Sequence, residues 1–178
     1  MIKISSNNFF FEENLINLIE QKNLQVCKND SKSYFSHLHL NIEKYLLKIF
    51  LDDNKVIEIK LPTDFNFLFN ELSKVLNDIV VDNLKFIYFP FKQILIFNDK
   101  EVLLRNTHNT ILKNLVLAGH KGMSKKDLYL NIWPQDKEML INKLDTHLTN
   151  LKNFLIDNLN LELKIISQKN FVYLNLID

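Results

Sequence analysis

The chain has 178 residues, 47% of them hydrophobic, with 22 basic and 21 acidic side chains for a net charge of +1. That is enough for one large core or two small ones, and its charge balance selects no partner. The two glycines, Gly119 and Gly122, are three apart and so cannot supply GxxxxGK[ST], and they are one too few for GxGxxG; the single Cys27 excludes an intrachain disulfide and a cysteine zinc cluster.

The opening MIKISSNNFFFEENL lacks the basic flank and long apolar run of a signal peptide. No uncharged apolar run approaches the ~20 residues that cross a bilayer, so a soluble, cytoplasmic protein with no membrane association is expected. IKISS then reads as a strand, Phe11 to Lys22 as a helix burying Leu15, Leu18 and Ile19, and LQVCK as a second strand. HLHLNI and KYLLKIFL are further strands. DDNK before VIEIKLP is a hairpin turn, because Asp and Asn tolerate the backbone that such turns need. Pro62 and Thr63 open a helix to about Asn77, with Thr63 or Asp64 as cap and Phe65, Leu68, Phe69, Leu72 and Leu76 inward. Mixed segments of this kind predict a small α/β domain over residues 1–78.

Residues 79–178 form the second predicted domain. LKFIYFP, QILIFN and EVLL are short strands, and a helix from about Thr107 to Ala118 stops at AGHKG. Ser124 caps SKKDLYLNIW with Asp127 in the capping-box position, and Trp133-Pro134 closes that helix. The connector QDKE leads to INKLDTHLTNLKNFL, Ile141 to Leu155. Its apolar stripe is Ile141, Leu144, Leu148, Leu151 and Leu155. The opposite face, with Asn142, Lys143, Thr146, Thr149, Asn150 and Asn153, is polar but nearly uncharged, unlike the Glu/Lys pairs of an ordinary solvated face. LKIIS and FVYLNL, joined by QKN, form a terminal hairpin. Three helices framed by short strands, with a hairpin last, predict an α+β chain whose C-terminal part is a winged helix-turn-helix. The first 78 residues carry nine lysines against eleven acids and the remainder thirteen basic residues against ten, so the second part is the basic one.

Four ordered patterns carry a family likeness. LKFIYFPFKQILIFNDKEVLL, MSKKDLYLNIW, LDTHLTNLK and IISQKNFVYLNL are similar to the leading strands, the pre-recognition segment, the V-D-x-H-I-x-x-L-R signature and the wing of the effector domain of OmpR/PhoB-class response regulators. The likeness covers residues ~84 to 177. It departs at LRNTHN, where Arg105 and His108 stand at the family's Thr and Glu positions, so Asn106 or Thr107 is expected to cap. In the wing, glycines give way to Lys169, Asn170 and Val172 while Tyr173 is kept, and Asn170 is expected to take the positive φ. Lys152 stands where the family commonly has Arg and loses the bidentate fork.

In such a regulator the first half is a phosphoacceptor receiver. IKISSNNFFFEENLINLIEQKNLQV and IKLPTDFNFLFNELSKVL resemble its first and last segments, with Lys60-Leu61-Pro62 near the usual Lys-Pro. Ser5, Ser6 and Asn7 replace the acidic pair that a hard cation requires, and Asp52 is more simply a turn residue than an acceptor. A shortened, receiver-like docking or dimer module is expected.

The resemblance implies a transcription regulator that binds double-stranded DNA, as a homodimer through the N-terminal domain, with RNA polymerase or a signalling protein as further partners; the missing acidic pair implies that it acts without phosphorylation. Asn142, Lys143, Thr146 and Asn150 are the base-edge candidates, since Asn pairs bidentately with adenine and Thr contacts a thymine methyl. His147, Lys152 and Lys169 are backbone candidates, as are Lys125 and Lys126 at the start of the preceding helix. Asn170 joins Lys169 at a wing tip that flanks the minor groove, against the alternative of an idle hairpin. Trp133 is expected in the core rather than against a sugar, and Asp145 to orient a neighbouring lysine. His37 and His39 share a strand face, but no third ligand is fixed by spacing, so no metal or cofactor is assigned. No nucleophile-base set points to an enzyme. The rival reading is a protein-interaction adaptor whose winged helix no longer binds DNA. A divergent phosphorylated regulator is the third.

Overall fold

A computed structural model describes residues 2–21, 26–27, 34–82 and 84–175. The chain divides into two compact units, Met1–Ile79 and Val80–Asp178.

The first unit runs β1 (Ile2–Ser6), α1 (Phe9–Gln21), β2 (Val26–Cys27), β3 (His37–Glu43), β4 (Leu46–Leu51), β5 (Asn54–Lys60) and α2 (Phe65–Asn77). Lys22 and, in the second predicted strand, Leu24, Gln25 and Lys28 lie outside the described residues. Strand order is β2-β1-β3-β4-β5, with β1 parallel to β2 and β3 and the last two pairings antiparallel. This order is that of flavodoxin-like doubly wound sheets. Here, however, β3, β4 and β5 are joined by hairpins, where parallel strands would need crossover helices. Alternation explains the rest. Ile2, Ile4, Leu38, Leu40, Leu47, Ile49 and Ile59 are buried on one face, which takes Leu15 and Ile19 of α1 and Leu68, Leu72, Val75 and Leu76 of α2. Lys3, Ser5, His37, His39, Lys48 and Phe50 alternate with them and are only half-buried. Asp52 and Asp53 carry the two positive φ values, 48° and 68°, of the predicted tight turn. Asp64, not Thr63, caps α2, accepting from the Phe67 amide at 3.1 Å. Phe65, expected inward, is 38% exposed because it sits at the first helical position, ahead of the stripe that Leu68 begins.

The second unit opens with an antiparallel meander, β6 (Ile87–Phe89), β7 (Ile94–Phe97) and β8 (Lys100–Leu103). Then follow α3 (Asn106–Ala118), β9 (Met123–Ser124), α4 (Lys125–Ile132), α5 (Ile141–Leu159), β10 (Lys164–Gln168) and β11 (Phe171–Asn175). The β10-β11 hairpin pairs through β11 with β9, so the wing grows out of the strand that leads into α4. Leu112, Leu115, Leu128, Leu148, Leu151, Leu155 and Val172 form the centre of its core. Tyr88, fully buried, donates to Asn109 Oδ1 at 2.5 Å, and Asn109 Nδ2 donates to Pro90 O at 3.0 Å, tying the meander to α3. Gly119 ends α3 at φ 55° as expected. Gly122 fixes the wing base: a Cβ there would lie 2.4 Å from the Tyr173 ring and 2.7 Å from Val172 O.

Four further expectations need correction. Neither Asn106 nor Thr107 caps α3; Arg105 is the N-cap and makes no side-chain cap bond. The positive φ of the wing turn, 53°, belongs to Lys169 rather than Asn170. Ile141 is 42% exposed, since α5 begins there with too little neighbouring structure to cover it, and Leu159 takes a place on the buried stripe instead. Leu18 is half-buried rather than in the core of α1.

Candidate nucleic-acid interface

The 19-residue α5 buries Leu144, Leu148, Leu151, Leu155 and Leu159. With 3.6 residues per turn, Asn142, Thr146, Thr149 and Asn153 fall on the opposite strip, with Asn150 beside it, and all five are exposed. The strip is uncharged. Thr146 and Thr149 donate their hydroxyl protons to Asn142 O at 2.7 Å and Asp145 O at 3.0 Å. What they present outward is a methyl and oxygen lone pairs. Thr149 and Asn153 also belong to this strip, as their spacing from Asn142 and Thr146 dictates, beyond the contacts that the sequence predicts.

One flank of α5 faces the end of α4. Lys143 Nζ lies 2.7 Å from Asp136 Oδ2 and 4.1 Å above the Trp133 ring. Asp136 also accepts from Tyr129 at 2.5 Å, and these two bonds, Lys143 first, hold its carboxyl below the usual range. Lys143 is therefore drawn off the outer strip toward this aromatic corner. His147 packs on Trp133 with ring centroids 5.1 Å apart. Burial, then the Lys143 charge, lowers its pKa below the ordinary imidazole value. It thus stands as a neutral donor or acceptor at neutral pH.

The other flank faces the wing. Lys125 Nζ donates to both Asp145 oxygens, at 2.8 and 3.1 Å, so Asp145 orients a lysine of α4. The Lys125 amide donates to Asn170 O at 2.7 Å, and the Asp127 amide to the Ser124 hydroxyl at 3.0 Å. Two of the first-turn amides of α4 are thereby used internally, which removes the Lys125 amide as a phosphate donor. Its neighbour Lys126 is exposed. A recess of about 220 Å³ separates α5 from the wing, lined by Lys152, Thr149 and Asp145 from the helix and Ile165 and Ser167 from β10. Lys169 and Asn170 are exposed at the wing tip.

The structure thus brings Asn142, Thr146 and Asn150 onto one open surface. Lys152, Lys169 and Asn170 flank it on the wing side, His147 borders it on the α4 side, Lys126 is exposed at the start of α4, and Lys125 and Lys143 are engaged within the protein. In the first unit, Ser5 Oγ lies 2.7 Å from His37 Nε2 and 2.8 Å from His39 Nδ1, so the paired histidines share a hydroxyl. No group of three metal-ligating side chains occurs among the described residues, and none of the described helices is long and apolar enough to cross a membrane.

No family model matches the chain, and no curated protein matches it. Among solved structures, the DNA-binding domain of CadC from E. coli is similar over 55% of this chain and 92% of its own length, at 16% identity and TM-score 0.46. The C-terminal domain of the nisin resistance regulator NsrR, a lantibiotic response regulator, is similar over 47% of this chain and 84% of its own, at 25% identity and TM-score 0.38.

Proposed function

We propose that the chain is a DNA-binding transcription regulator of the response-regulator type, with residues 79–178 as a winged-helix effector and residues 1–78 as a reduced, receiver-like module that pairs two copies. The observation that carries this reading is the uncovered, uncharged strip of α5 between two helix-and-wing flanks. An Asn/Thr strip offers amide pairs for adenine edges and methyls for thymine. Asn142, Thr146 and Asn150 read bases. Lys152, Lys169, Lys126 and His147 hold the phosphates alongside, Asn170 flanks the minor groove, and Lys125 and Lys143 join them once released from their carboxylates. Two paired copies address half-sites about one helical turn apart. Double-stranded DNA is the partner; RNA polymerase or a signalling protein reads the occupied site. The regulator acts from the cytoplasm.

The module works without phosphorylation. Asp52 accepts from the His37 amide at 2.8 Å, at the end of β3 where β1 begins. Asn7, at the far end of β1, is bonded to the Ile42 backbone in both directions at 2.8 and 2.9 Å. An acceptor and a cation site at opposite ends of a sheet cannot share a phosphoryl group.

The adaptor reading keeps one observation in its favour: Asp136 and Asp145 already neutralise two of the lysines nearest α5. Salt separates the readings. Duplex affinity selected from a random pool should fall steeply between low and moderate salt, and Asn142→Ala with Asn150→Ala should abolish sequence preference without changing the melt. No duplex affinity even at low salt selects the adaptor.

A further inference from the structure

We propose that the groove where the N-terminus of α3 meets the C-terminal half of α5 is an oxyanion site, built to take a phosphate or carboxylate group. The groove is about 500 Å³. Arg105, the chain's single arginine, stands at its α3 end. Arg105 is also the N-cap of the 13-residue α3, which has neither a side-chain cap nor an acidic residue in its first turn. The open amides and positive end of that helix therefore face outward unneutralised.

An independent observation comes from the groove wall. His108 is 5% exposed and packs on Phe154 with ring centroids 5.3 Å apart. Its Nδ1 is sealed from solvent and meets no hydrogen-bond partner. A buried ring nitrogen left unpaired is costly unless something completes it, and here it adjoins a guanidinium and an uncapped helix. An anion seated at Arg105 neutralises the guanidinium and the helix end, and a small turn of the His108 ring brings Nδ1 to it. Asn150 and Asn153 on α5 supply amides for the remainder of such a molecule, and Phe154 a flat apolar wall. Asp157 lines the same groove, and its carboxylate repels a second anion, which confines the site to the α3 end. The groove shares His147, Asn150 and Asn153 with the surface proposed for DNA, so phosphate binding is measured first on the chain alone.

The test is a ¹H–¹⁵N titration of the full chain with inorganic phosphate, at ionic strength held constant with chloride. Saturable shifts at the Asn106, Thr107 and His108 amides are expected. Arg105→Gln should weaken them roughly tenfold, the loss of one charge-assisted contact, and Asp157→Asn should strengthen them. Arg105 has no cap bond to lose, so the melting of Arg105→Gln should equal that of the parent. Shifts that are absent, fail to saturate, or persist undiminished in Arg105→Gln overturn the site. A duplex titration then separates the sources. A salt slope lower by about 0.9 in Arg105→Gln assigns the anion to a DNA phosphate, and an unchanged slope assigns it to a free molecule; either supports the oxyanion chemistry. A chain that binds phosphate here yet binds no duplex would refute the regulator reading and leave this site standing.

Discussion

Asp145→Asn separates the internal use of Lys125 from its use on DNA. Lys125 is the more enclosed partner, its side chain 13% exposed against 43% for Asp145. Because the aspartate is so open to water, the pair contributes only about 0.5–1 kcal/mol. Asparagine keeps one acceptor for Lys125, which limits the loss further. The larger effect falls on DNA. Freed of its counter-ion, Lys125 sits on the wing flank of α5 as one more phosphate contact, steepening the slope of log K against log[salt] by about 0.9. Between 50 and 200 mM salt that adds about 3.5-fold to the affinity lost. Fluorescence anisotropy on one labelled duplex at several salt concentrations measures the slope, and urea melts measure the stability. A variant that melts about 1 kcal/mol lower, with an unchanged or shallower slope, would refute the placement of Lys125 beside the phosphates.

Four further outcomes are expected. Asn109→Ala removes the 2.5 Å partner of the buried Tyr88 hydroxyl, leaving only its 3.3 Å bond to the Asn109 main-chain carbonyl, and takes the amide donor from Pro90 O, so it should cost about 1–3 kcal/mol in urea unfolding, and Tyr88→Phe should recover part of that loss in the double variant. Burial lowers Lys113 to about 8, below its unfolded value, so stability should be full above pH ~10.5 and fall as pH drops through 8. Lys113→Met should abolish that slope and raise stability at neutral pH, and an unchanged slope would contradict its burial. His37, His108 and His147 are likewise lowered, by burial first, so a second loss is expected on acidification below pH ~6.5. Acetyl phosphate with magnesium should place no phosphoryl group on Asp52, and a mass gain there would overturn the phosphorylation-independent reading.

Much of this architecture is legible in the residues because its signals are local. Ile2/Ile4 against Lys3/Ser5 and Leu38/Leu40 against His37/His39 declare strand faces, and Asp52-Asp53 and Ser124…Asp127 declare a turn and a cap. The strip on α5 was equally plain, since Asn142, Thr146 and Asn150 share one helical face. What sequence did not give depends on distant partners. Lys125 and Lys143 look like free cations until the fold brings Asp145 and Asp136 to them. His108 looks like a surface residue until Phe154 covers it. The wing turn put its positive φ on Lys169 because hairpin register, not intrinsic preference, decides which residue carries it. Sheet order was invisible for the same reason: β1 pairs with β3 across residues whose pattern names no neighbour.

The most direct test of the central claim is an amide-shift map of the ¹⁵N-labelled chain on a selected duplex at low salt. The account predicts perturbations concentrated at Asn142, Thr146, Thr149, Asn150 and Asn153, with a second group at Lys169 and Asn170. Shifts confined to the first unit, or a spectrum unmoved by any duplex, would contradict it.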